Sequence, residues 1–198
     1  MVEMKVFGLF DASEVKVTDP SLRRVVNVTP KLILKSHGRI KWDPSKTKVN
    51  VIERLVNLLQ VPGSRGKKHR IISSWMTGQH GKATNLVIDA FKIIEKKTGQ
   101  NPLIVFVKAL ENGAPRDEVT AIEYGGARYP QAVDISPRRR LNLVLRFIVN
   151  GSYDKAFNKK LSITESLAKE IMAAADNSSE SYAISKKNEF EKQADAAR

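Results

Sequence analysis

The chain has 198 residues, and 34 Lys or Arg against 21 Asp or Glu give it a formal charge of +13. A hydrophobic fraction of 41% supplies material for a core, and the absence of cysteine excludes a disulfide scaffold, a thiol nucleophile and any thiolate zinc site. No run approaches the ~18 apolar residues of a membrane span, so the chain reads as cytoplasmic with no membrane partner. A surplus of this size creates a field that concentrates polyanions. It is also lopsided, because the first 70 residues hold 15 basic against 6 acidic side chains.

In chain order, residues 1–46 mix basic and β-branched residues with prolines at 20, 30 and 44 and show no helical period. They read as a basic N-terminal extension ahead of a helical domain over 47–198. Two forms stay open for it. It is either an extended arm laying Arg23, Arg24, Lys31, Lys35, Arg39 and Lys41 along a polyanion with Trp42 stacked on a base, or a set of loops packed on the body. Over 48–60, Ile52, Leu55, Val56 and Leu59 recur at i, i+3, i+4, i+7 and predict the first helix. Residues 63–80 form a basic loop through Lys67, Lys68, His69 and Arg70, with a short helix expected around 71–76. Val87, Ala90, Phe91 and Ile94 then predict a second helix stopped by Gly99, and Asn101 and Pro102 cap a third that closes at Gly113.

Across 116–135 the apolar period changes to two, and Gly125 and Gly126 allow a tight turn, so a protruding β-hairpin is expected. Pro130 confines it to a two-stranded ribbon. A fourth helix opens at Pro137, buries Leu141, Val144, Leu145 and Ile148, and should end before Gly151. Its first turn holds Arg138, Arg139 and Arg140, cations that oppose the helix dipole; with the free amide groups of that helix end they make a phosphate site. A fifth helix is expected over 162–176. A sixth over 182–197, with Lys186 and Lys187 and few apolar residues, reads as only partly docked. The fold class is therefore mainly α, a helical bundle of about six helices with a protruding two-stranded β-hairpin and an extended basic N-terminal arm.

Catalytic chemistry finds little purchase. His69 and His80 lack the i, i+4 spacing of a ligand pair, and His37 stands in the arm. Gly66-Lys67 and Gly81-Lys82 lack the remaining residues of a phosphate loop and are decoys for it; Lys67 and Lys82 are expected among the RNA-contacting cations. Asp117 and Glu118 would point to opposite faces of a strand, poor geometry for paired acid and base work. Residue chemistry alone supports a basic helical RNA or DNA binder. The alternatives are a DNA-compacting protein and a nucleic-acid enzyme using His69, His80, Asp117 and Glu118.

The run Glu123-Tyr124-Gly125-Gly126-Ala127-Arg128-Tyr129-Pro130-Gln131-Ala132-Val133, continuing through Asp134-Ile135-Ser136-Pro137-Arg138-Arg139-Arg140, resembles the signature of the universal seventh protein of the small ribosomal subunit. Glu53-Arg54-Leu55-Val56-Asn57, Lys97-Thr98-Gly99-Gln100-Asn101-Pro102-Leu103 and the tail over 178–187 look like the same family in the same order, in its archaeal and eukaryotic branch. The resemblance implies no catalysis and no cofactor. It implies a structural protein that binds the 3′ major domain of small-subunit ribosomal RNA directly and nucleates the subunit head. Exit-site tRNA and mRNA would lie nearby, and the ninth and eleventh small-subunit proteins would be neighbours. Carried over by position, the ribbon tip is Tyr124, Arg128 and Tyr129, the phosphate cluster is Arg138, Arg139 and Arg140, and the tail contributes Lys186 and Lys187. One departure stands out: the family places Gly-Lys-Lys directly before the second helix, whereas here Gly78-Gln79-His80 takes that place and Gly66-Lys67-Lys68 lies upstream.

Overall fold

The computed structural model describes residues 5–36, 40, 47–61, 63–65, 69–70 and 77–198, of which 64, 65, 69 and 70 are described in backbone only. Among them are six helices: α1 (Val51–Leu59), α2 (His80–Thr98), α3 (Pro102–Gly113), α4 (Pro137–Ala156), α5 (Ile163–Ala175) and α6 (Tyr182–Ala196). Local chemistry sets their starts. The side chains of Asn50, Asn101, Ser162 and Ser181 accept hydrogen bonds from the amides of Ile52, Leu103, Glu165 and Ile184, giving partners to donors that a helix end otherwise leaves unmade. Gly99, at φ +65°, closes α2 in the left-handed conformation that glycine adopts without steric cost.

Helix α5 packs against α2, α3 and α4, and its Leu167, Ala168, Ile171 and Ala174 are fully buried. Phe91 sits between Phe10 and Phe106, with ring centroids 5.7 Å away on either side. Removing a side chain of this kind from water contributes roughly 1.5–3 kcal/mol, so the cluster is a main source of stability. Tyr153, 2% exposed, donates its hydroxyl hydrogen to the Leu59 carbonyl at 2.8 Å and ties α4 to the end of α1.

Of the two forms left open for the N-terminal extension, residues 5–36 adopt the packed one. Val6, Phe10, Leu22, Val25, Val26 and Leu34 are buried in the same core as the helices. The backbone amides of Thr18 and Asp19 donate to Glu111 of α3, that of Val51 donates to the Asn27 carbonyl, and Asn101 donates to the Asp11 carbonyl. Burial of six apolar side chains favours the packed form in the isolated chain.

Three further expectations are corrected. Within 63–80, Ser64–Arg65 (β1) and His69–Arg70 (β2) pair antiparallel instead of forming a plain loop; the short helix expected at 71–76 lies outside the described residues. Helix α4 does not stop before Gly151 but continues through it to Ala156. Gly151 is a close-approach glycine: a Cβ there would lie 2.6 Å from the Tyr182 Cβ and 3.1 Å from the Glu170 carboxyl carbon. Helix α6 is docked, burying Ala183, Ile184 and Ala194 and setting Phe190 against Phe147 at 5.6 Å.

The ribbon is formed by β3 (Asp117–Tyr124) and β4 (Ala127–Asp134), in register from Asp117 opposite Asp134 to Tyr124 opposite Ala127. Gly125 and Gly126 carry φ of +60° and +81°, the two positive values that a two-residue turn matched to strand twist requires. Its base packs on α6, and the strands are exposed from Thr120 through Gln131.

Candidate nucleic-acid interface

Strand register sorts the ribbon's side chains into two faces. Ile122 stands opposite Tyr129 and Tyr124 opposite Ala127, so Ile122, Tyr124 and Tyr129 share one face, 44%, 82% and 58% exposed. An exposed aromatic pair on a two-stranded arm contributes nothing to the protein's own core. It offers stacking surface, worth roughly 1–3 kcal/mol per base. On the other face Arg128 faces Glu123 across the strands, with a loose ion pair at 3.7 Å.

Charge chemistry fixes the ribbon's base. Asp117 and Asp134 are directly opposed, an unfavourable like-charge pair that Arg198 relieves by donating to Asp117 Oδ2 at 2.6 Å. Arg139 clamps Glu118 with two parallel bonds, Nε to Oε1 at 2.7 Å and Nη2 to Oε2 at 2.6 Å. The Glu118 carboxylate raises the Arg139 pKa above the usual guanidinium value. The two carboxylates considered as an acid and base pair are therefore engaged separately, on opposite faces, in holding the arm.

The three consecutive arginines fan around α4 and have three different fates. Arg138 is exposed and makes no hydrogen bond or ion pair among the described residues. Arg139 is the ribbon clamp. Arg140 is 6% exposed and turned inward: Nε donates to the Pro115 carbonyl at 3.0 Å, Nη2 to the Ala114 carbonyl at 3.4 Å, Nη1 to the Ser21 hydroxyl, and Nη2 pairs with Asp19 Oδ2 at 3.0 Å. Burial pushes the Asp19 carboxyl up, but hydrogen bonds from Ser21 and the charge and hydrogen bond of Arg140 outweigh it and leave the pKa lowered. Arg140, expected among the RNA-contacting arginines, instead has its donors joining the N-terminal segment, the ribbon base and α4 within the isolated chain.

The remaining expected contacts divide plainly. Arg39, Lys41, Trp42, Lys67 and Lys68 lie outside the described residues, and of Arg70 only the backbone, in β2, is described. Lys82 is exposed in the first turn of α2. Lys186 pairs with Glu189 and lies 6.0 Å from the Tyr182 ring centroid, and Lys187 is half-buried on α6.

A feature absent from the sequence reading is a groove of about 620 Å³ between α1 and α4, bounded by Arg54, Asn57, Asn142 and Arg146 with Lys35 and His80 at its edge. A second hollow of about 350 Å³ continues it past Leu58 and Arg146 toward Asn150. Arg54, Asn57 and Leu58 are spaced i, i+3, i+4 along α1, and Asn142 and Arg146 are i, i+4 along α4, so each set lines one helix face. That spacing is visible in the sequence. The facing of the two helices is not.

Comparison with known proteins places this arrangement in a family. The profile described as "Ribosomal protein S7p/S5e" matches residues 28–198. "Small ribosomal subunit protein uS7" of Nanoarchaeum equitans is 50% identical over 198 residues, covering 100% of both chains. The protein of the same name from Archaeoglobus fulgidus is 43% identical over 197 residues, covering 99% of this chain and 96% of its own. With its helical body, its protruding ribbon and full-length likeness to archaeal relatives, the chain belongs to the ribosomal protein S7p/S5e family, in its archaeal branch.

Proposed function

We propose that this structural protein of the small ribosomal subunit binds the 3′ major domain of the ribosomal RNA directly and nucleates assembly of the subunit head in the cytoplasm. The observation that carries the reading is the ribbon, which projects Ile122, Tyr124 and Tyr129 away from the core on one exposed face. RNA is recognised by shape, by phosphate contacts and by stacking on unpaired bases. A rigidly based arm with a stacking face, on a chain of net charge +13, suits a junction or loop better than a regular duplex. Arg138, Lys82 and Lys187, with the arm and loop residues Arg39, Lys41, Trp42, Lys67, Lys68 and Arg70, supply the phosphate contacts in this proposal, and Arg128 and Lys186 supplement them. The ribbon tip lies near exit-site tRNA and mRNA, and the body meets the ninth and eleventh small-subunit proteins.

The test is retention of the purified protein on a transcript of the 3′ major domain against duplex DNA of equal length, across a salt titration. The proposal expects tight RNA retention at moderate salt with a slope of about 0.7–0.9 per neutralised phosphate, and weaker binding when Tyr124 and Tyr129 become alanine. Comparable retention of duplex DNA would favour a DNA-compacting protein instead.

A further inference from the structure

We infer that the groove between α1 and α4 receives a single unpaired nucleotide of the bound RNA, reading its base edge with amide side chains and holding its phosphate with arginine and lysine. This rests on the RNA-binding reading above and adds a site to it.

The first argument is size and lining. A volume of about 620 Å³ lies within the ~300–1,000 Å³ of pockets that enclose small ligands, and the half-buried Leu58 gives it an aliphatic surface on which a flat base can rest. The second is hydrogen-bond inventory. A guanidinium has only donors, so the Arg54 Nη2 bond to Asn142 requires the Asn142 oxygen to face Arg54, leaving its amide hydrogens as donors. Gln60 Nε2 donates to Asn57 Oδ1 at 3.0 Å, which leaves the Asn57 amide hydrogens as donors and the Gln60 oxygen as an acceptor. Donors and an acceptor side by side are what a Watson–Crick edge requires, and unstacked bases are where RNA sequence is read. The third is charge. Among the described residues Lys35, Arg54 and Arg146 line the groove with one carboxylate, Glu53, which is 6% exposed and accepts the Ser36 amide at 2.6 Å. The phosphate of a tethered nucleotide would meet positive charge there.

The experiment uses the full-length protein and the 3′ major domain transcript, with base-edge chemical probing and filter binding across salt. Wild type is expected to protect the edge of one unpaired nucleotide that becomes reactive with the Asn57→Ala/Asn142→Ala double variant. Affinity should fall about tenfold with the salt slope unchanged, as expected for groups that read a base and neutralise no phosphate. Asn57→Ala alone leaves the Arg54–Asn142 bond intact and should show part of the same loss, so a disturbed Arg54 cannot account for it. Unchanged protections and affinity in the double variant would overturn the groove while leaving RNA binding standing; failure of wild type to bind the transcript would overturn both.

Discussion

Arg138 and Arg140, two residues apart in one helical turn, should fail in opposite ways when replaced by alanine. Removing the Arg140 guanidinium leaves the carbonyls of Ala114 and Pro115 without that donor and the Asp19 carboxylate without its counter-charge, with only Ser21 still donating to it. Breaking one side of a buried ion pair costs roughly 3–5 kcal/mol. The Asp19 side chain is 22% exposed, so water recovers part of that, and a loss of about 3 kcal/mol is expected. With a urea m-value of about 2–3 kcal/mol/M, the midpoint should drop by about 1–1.5 M. Arg138→Ala removes an exposed side chain without a partner among the described residues and should change stability by less than about 0.5 kcal/mol. In RNA binding the order reverses: Arg138→Ala should lower the salt slope by about 0.7–0.9. Urea unfolding and filter binding on both variants make the check. An Arg140→Ala protein that unfolds like wild type yet loses a unit of salt slope would refute the assignment of Arg140 as a brace.

Three other outcomes follow from buried groups. Glu170 is fully buried and accepts from Lys155 Nζ at 2.5 Å, the Ser181 hydroxyl at 2.7 Å and the Ala183 amide at 3.1 Å; Glu170→Ala should cost about 3 kcal/mol and speed amide exchange in α6, and unaltered α6 protection would contradict this. Gly151→Ala ought to gain helix propensity but force contact with Tyr182 and Glu170, so a net loss of about 1–3 kcal/mol by thermal melting is expected; a stabilised variant would show that the helices do not meet there. Burial pushes the Tyr153 hydroxyl up to about 12. Because the folded value lies above the ordinary ~10 of the unfolded chain, the stability it contributes is complete below about pH 10 and is lost as pH rises toward 12, by about 2–3 kcal/mol in all. Tyr153→Phe should flatten that alkaline decline, and an unaltered pH profile would exclude the residue as its source.

Helices α1 to α3 and α5 are legible in the sequence because their apolar residues recur at i, i+3, i+4, and because α1, α3 and α5 start at Asn50, Asn101 and Ser162 while Gly99 ends α2. The ribbon is legible through its period of two and its glycine pair. What escaped depends on contacts between elements. Gly151 looks like a stop signal when α4 is read alone, and only the crossing of α6 shows why a small residue is needed mid-helix. Helix α6 docks through Ala183, Ile184, Ala194 and Phe190, too little apolar mass to register as a stripe. Arg140 carried a usable clue: it lies four residues before the buried Val144 and extends that stripe into the first turn, which separates it from Arg138. The groove was readable as two polar helix faces, but only the packing of α1 beside α4 makes them one site.

The most direct test of the scaffold assignment is the position of the protein in a sucrose gradient of native lysate at physiological salt. It should sediment with small-subunit particles and their ribosomal RNA. Recovery wholly in the slow, RNA-free fractions would contradict it.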